Sequence, residues 1–149
     1  MEHSTQPQQG RLRHPAVLAW LRLARVFQKI DARSERFFRQ QGLNSAQFDV
    51  LAQVGAASGI TQQELANALL VTKGNISQLL GRLEHDRLIT RRQEGRTNCL
   101  SLTDQGQALF ATVVPQQEAL IAELLAPLSP DEQYELLRLL RKLDHSLTA

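Results

Sequence analysis

Apolar side chains along the first forty residues recur every three or four positions, on two tracks at once. Val17, Trp20, Leu21 and Ala24 form one; Leu23, Phe27, Ile30, Phe37 and Phe38 form the other, with Ser34 in the same series. The spacing predicts one long helix from Pro15 to about Gln41, ended by Gly42 as its C-terminal cap. Two apolar tracks mean more than one buried face, which a lone surface helix does not need. Three helix starts follow. Asn44 with Gln47, Thr61 with Glu64, and Thr72 with Asn75 in place of the acidic residue each resemble a capping box. Leu43/Phe48, Ile60/Leu65 and Val71/Ile76 supply the matching hydrophobic staples. Only Leu70 and Val71 separate the end of the second short helix from the Thr72 cap, so the two must cross steeply, as in a helix-turn-helix.

After Asp86 the period shortens. Leu88-Ile89-Thr90-Arg91-Arg92 reads as a strand, Glu94-Gly95 as a turn and Cys99-Leu100-Ser101-Leu102 as a return strand. Thr103 caps a helix to about Leu125, in which Pro115 predicts a kink. Ser129-Pro130-Asp131-Glu132 opens a last helix with one stripe, Leu136, Leu140, Leu143 and Leu147. The expected fold is mainly α, with a two-stranded hairpin.

The 149 residues fit one domain with appended helices, and 42% hydrophobic with 21% charged residues excludes compositional disorder. No uninterrupted apolar run approaches the roughly 20 residues of a membrane span, and the polar first ten residues lack a secretory pattern. The expectation is a cytoplasmic chain without a membrane partner. The formal charge of +2 hides a strong polarity. Residues 11–41 hold eight basic and two acidic side chains, 61–103 six and four, 104–149 three and seven. Arg22, Arg25, Lys29, Arg33 and Arg36 make a basic stripe on the first helix. Such polarity offers one face to an anion and another to a different partner.

The segment from Thr72 to His85 carries the candidate chemistry. Ile76, Leu80 and Leu83 share one face, with Leu79 beside them; Gly74, Ser77, Gln78 and Gly81 share the other, flanked by Lys73, Asn75 and Arg82. The outer face is slim and polar. A major groove about 12 Å wide admits such a helix; Gln and Asn pair with adenine, Ser with either edge, Lys and Arg with guanine or phosphate. The plainer alternative is a merely solvated face. Arg91, Arg92 and Arg96 lie along or at the tip of the hairpin, and Arg96 is the candidate for the adjacent minor groove.

These residues resemble the MarR (multiple antibiotic resistance regulator) family. The likeness runs from Gly42-Leu43-x-x-x-Gln47-Phe48 through Thr61-Gln62-Gln63-Glu64-Leu65-Ala66, Arg82-Leu83-Glu84 and Leu88-Ile89-x-Arg91 to Leu102-Thr103-x-x-Gly106. It implies a winged helix-turn-helix with a two-stranded β-wing, flanked by N- and C-terminal dimerisation helices. The expected divisions are a tail over 1–10, a dimerisation helix over 11–41, a DNA-binding lobe over 42–106 and dimerisation helices over 107–149. The resemblance implies a homodimeric transcriptional regulator, a repressor in the first instance, on a palindromic operator of double-stranded DNA. Thr72, Lys73, Asn75, Ser77, Gln78 and Arg82 fall at family DNA-contact positions, and Arg96 at the wing-tip arginine; Arg91 joins them as a strand cation. Two departures stand out. Glu94-Gly95-Arg96-Thr97 replaces the frequent Asp-x-Arg-Arg of the wing, and Leu70 stands where the turn commonly has glycine.

Relatives of this kind often bind small aromatic acids or phenols. Trp20, Phe27 and Phe48 are the aromatic candidates for such an effector, and Arg22 or Arg25 could meet its carboxylate; the alternative makes the aromatics core and the arginines a solvated stripe. His3, His14, His85 and His145 show no ligand spacing, so neither metal nor cofactor is expected. Cys99, the single cysteine, reads as an inert strand residue. There is no nucleophile elbow, phosphate loop or zinc-protease motif, so an enzyme is not expected. The competing non-enzymatic reading is a winged-helix module for protein contact.

Overall fold

The computed structural model describes residues 14–69 and 73–148, with only the backbone of Lys73 and Gly74. The expected tail over 1–10, the Leu70-Val71 turn and the Thr72 cap lie outside the described residues. Six helices and one hairpin follow in the order α1 (Pro15–Gln40), α2 (Ser45–Ala56), α3 (Gln62–Leu69), α4 (Lys73–His85), β1 (Ile89–Glu94), β2 (Thr97–Leu102), α5 (Asp104–Leu125) and α6 (Pro130–Leu147).

Local chemistry sets the corners. α1 ends in a Schellman motif: Gly42 at φ +75° donates to the Arg39 carbonyl (3.0 Å) and Leu43 to that of Phe38 (2.9 Å). Two residues on, the Asn44 side chain accepts from Gln47 N–H (2.8 Å) while Gln47 Oε1 accepts from Asn44 N–H (2.9 Å), a complete capping box. The Glu35 carboxylate accepts the Ser45 N–H (3.0 Å), and hydrogen bonding from Ser45 holds its carboxyl below the usual range. Ser129 and Glu132 form the second reciprocal box, at the start of α6. α5 runs through Pro115 as one continuous helix.

The core gathers Val50, Leu51 and Val54 of α2, Leu65 of α3, Ile76, Leu80 and Leu83 of α4, Leu100 of β2 and Val113 of α5, each at most 1% exposed. Phe38, from the last turn of α1, stacks on Phe48 with centroids 4.4 Å apart and anchors α1 to the lobe. By length and composition α5 could cross a membrane, at mean hydropathy 1.2 over its most apolar window. Polar residues punctuate it, and Val113, Leu109 and Phe110 of α5 pack into the core of the lobe.

The N-terminal half of α1 is different. Every residue from His14 to Leu23 is exposed, and Trp20 and Phe27 keep 64% and 66% of their surface. α6 has no buried residue, and Leu147 is 81% exposed.

Candidate nucleic-acid interface

α4 sorts its residues by face. Ile76, Leu80 and Leu83 are fully buried, fixing the helix against α2, α3 and β1; Asn75, Ser77, Gln78, Arg82 and His85 are exposed on the opposite side. Five of the predicted DNA-contact positions thus share this helix, Lys73 in its first turn among them. Gly81 lies on the same outer face, where a helix glycine costs roughly 1 kcal/mol relative to alanine. Among the described residues Arg82 and Arg96 form no ion pair.

The wing stands beside α3. Ile89 pairs with Leu102 and Glu94 with Thr97, leaving Gly95-Arg96 as a two-residue loop, one residue later than the sequence suggests. Gly95 takes φ +61° at the first loop position, as two-residue hairpin loops with glycine there require. Arg96 sits on the loop itself, exposed. Thr97, in place of a second arginine, donates its hydroxyl to the Glu94 carbonyl (2.9 Å) and closes the hairpin. A third extended piece escapes a reading of the sequence. Leu100 N–H donates to the Ile60 carbonyl (2.9 Å) and Gly59 N–H to that of Leu100 (3.0 Å), while Thr61 bridges Cys99. This ties the wing to the start of α3. Between them lies a cleft of about 220 Å³ lined by Thr61, Gln62, Gln63, Ala66, Ile76, Arg96, Thr97 and Asn98. Gln62, Gln63 and Asn98 carry no sequence signal as cleft residues, because nothing in their own spacing shows that wing and α3 meet.

Three expectations change. Arg91 is not displayed to solvent as a strand cation: it pairs with Glu84 of α4 and reaches Gln62 of α3 (3.4 Å), bracing the two helices. Arg92 is tied to Glu94, which holds the Glu94 carboxyl down and the Arg92 guanidinium up. The aromatic effector set does not assemble within one chain. Phe48 lines an apolar groove with Ala52 of α2 and Val114, Gln117, Ile121 and Leu125 of α5, about 490 Å³ in volume. Trp20, Arg22, Arg25 and Phe27 ride the exposed half of α1 and line no part of it. Among the described residues they therefore belong neither to the core nor to this groove. Cys99 is half-buried; burial, then the Glu94 carboxylate, pushes its thiol up, away from the thiolate that reactivity requires.

The wing is locked to α5 by one threonine. Thr103 N–H donates to the Leu88 carbonyl (3.0 Å), its hydroxyl donates to that of Arg87 (2.6 Å) and accepts from Gly106 N–H (2.9 Å). A Cβ on Gly106 would stand 2.0 Å from the Leu88 carbonyl oxygen, which explains the glycine of the Leu-Thr-x-x-Gly signature.

A polar recognition helix, braced by a neighbouring short helix and a cationic two-stranded wing, defines a winged helix-turn-helix DNA-binding protein. The sequence profile of the MarR family matches residues 41–97. An uncharacterised HTH-type transcriptional regulator of Bacillus cereus is 39% identical over 120 residues, 80% of this chain and 82% of that protein. The HTH-type transcriptional repressor MdtR of Bacillus subtilis is 30% identical over 126 residues, covering 83% of this chain and 81% of its own length. A mutant MarR from E. coli complexed with operator DNA superposes with a TM-score of 0.75 at 30% identity, covering 86% of this chain and 95% of that one. The chain belongs to the MarR family, whose members are DNA-binding transcriptional regulators and not enzymes.

Proposed function

We propose that the chain acts in the cytoplasm as a homodimeric repressor, holding a palindromic operator until a small aromatic molecule releases it. The observation that carries this reading is the uncovered apolar surface at both ends of the chain. Val17, Leu18, Trp20, Leu21, Leu23, Val26 and Phe27 of α1, and Leu137, Leu139, Leu143 and Leu147 of α6, are all exposed. Side chains of this size leave water only against a partner. Charge supports a second copy: the basic surplus of residues 11–41 complements the acidic excess of 104–149. In this reading 11–41 and 107–149 are the dimerisation helices and 42–106 is the DNA-binding lobe.

Each lobe offers Thr72, Lys73, Asn75, Ser77, Gln78 and Arg82 to a major groove and Arg96 to the neighbouring minor groove. Arg91 acts at one remove, by holding α3, α4 and the wing in register. Two-fold symmetry spaces the half-sites by one helical turn, roughly 34 Å, or a multiple. Repression follows the role of MdtR as a repressor. The effector takes the Phe48 groove, and Trp20, Arg22, Arg25 and Phe27 reach it only across the dimer.

Selection of bound genomic fragments, followed by sedimentation of the complex, tests the reading. The expected result is a palindromic consensus, two chains per site, and affinity falling with salt at a log–log slope of about −0.9 per phosphate contact. A monomer on an asymmetric site contradicts it. Titration with aromatic acids and phenols is expected to weaken operator binding; affinity unmoved across the series removes the effector from the account.

A further inference from the structure

Gly74 aside, each glycine of the described residues save one has a reason inside the chain. Gly42, Gly59 and Gly95 take φ of +75°, +86° and +61°. A side chain on Gly106 would strike the Leu88 backbone, and one on Gly55 would come within 2.3 Å of the Phe110 ring. Gly81 has neither reason. It sits inside α4 at an ordinary helical φ, and a Cβ built there meets nothing within 4 Å. Alanine would fit and would favour the helix. Gly81 follows Ser77 by four residues and Gln78 by three, and His85 follows it by four, so it lies on the outer face, half-buried among longer side chains.

We propose that Gly81 is a seating residue for DNA: its missing side chain leaves a notch that lets the backbone of α4 settle against base edges in the major groove. A helix reads bases only when its outer face comes within contact of them, and the side chains among the reading residues set the distance of closest approach. A bare Cα there brings Ser77 and Gln78 to the groove floor. A larger residue lifts the whole helix, and the readout by both flanking side chains weakens together. The proposal rests on α4 being the groove-reading helix.

The test compares the full chain with Gly81→Ala and Gly81→Leu, each measured for thermal unfolding and for affinity to a selected operator and to random duplex. Both variants are expected to be at least as thermally stable as the parent. Operator affinity is expected to fall about tenfold with alanine and further with leucine, while affinity for random duplex changes little. Gly81→Ala that is stabilised and binds its operator as tightly as the parent overturns the proposal, as does equal loss on operator and random duplex. If the parent itself shows no preference for any duplex over random sequence, the fault lies with the groove-reading assignment of α4.

Discussion

Arg87 is the one described residue other than glycine with a positive φ, 60°. It closes α4 as Gly42 closes α1: Arg87 N–H donates to the Glu84 carbonyl (3.0 Å) and Leu88 N–H to that of Leu83 (2.9 Å). A left-handed conformation strains any residue with a Cβ, so Arg87→Gly is expected to raise stability by roughly 0.5–1 kcal/mol, checked by urea unfolding. Gly106 is the opposite case. Gly106→Ala must push Leu88 away, and a loss of about 1–3 kcal/mol in the same assay is expected. An unchanged midpoint for Gly106→Ala means that the wing junction yields more easily than the geometry indicates. The sequence displays Gly106 as part of a signature but not its cause, because the clash is with a carbonyl eighteen positions earlier. Arg91 misleads for a related reason: a strand arginine looks solvent-bound until Glu84 and Gln62 are brought beside it by packing of three elements.

Among the elements, those with local signals are legible in the sequence. The Asn44 and Ser129 boxes, the Gly42 stop and the α4 stripe are settled within a few residues of sequence, and all stand in the structure. The hairpin loop differs by one residue, because Glu94-Gly95 and Gly95-Arg96 offer the same glycine and only the pairing of Glu94 with Thr97 decides between them. The third extended piece at Gly59–Thr61 depends wholly on β2 and has no periodicity of its own. The corner between α1 and α2 is charge-sensitive. Partial burial, then the nearby Asp31 carboxylate, raises the Asp49 carboxyl from its ordinary value. An acid raised on folding penalises the folded state when ionised and ceases to do so as pH falls through its raised value. Asp49→Asn is therefore expected to stabilise the chain at neutral pH, with the difference from the parent vanishing in acid. A difference that persists unchanged to low pH assigns the effect to something other than charge.

At the scale of the whole molecule, the exposed aromatics of α1 separate two accounts. Read from sequence alone, Trp20 and Phe27 could be core or effector contacts; the chain buries them against none of its own described residues. In the proposed homodimer a second copy covers them. Trp20→Asp together with Phe27→Asp is expected to yield monomers by sedimentation, with the α2–α5 lobe still folded by circular dichroism, because Phe38 and not these residues ties α1 to the lobe. Operator affinity should drop by orders of magnitude, since a single lobe forfeits the advantage of a linked second half-site. Dimers surviving both substitutions would move the interface away from α1. Hydroxyl-radical footprinting of the parent on its selected operator decides whether α4 is presented twice to one duplex. Two protected patches are expected on one side of the duplex, symmetric about the palindrome and about one helical turn or a multiple apart; one isolated patch, or protection without symmetry, rules out a paired presentation of α4.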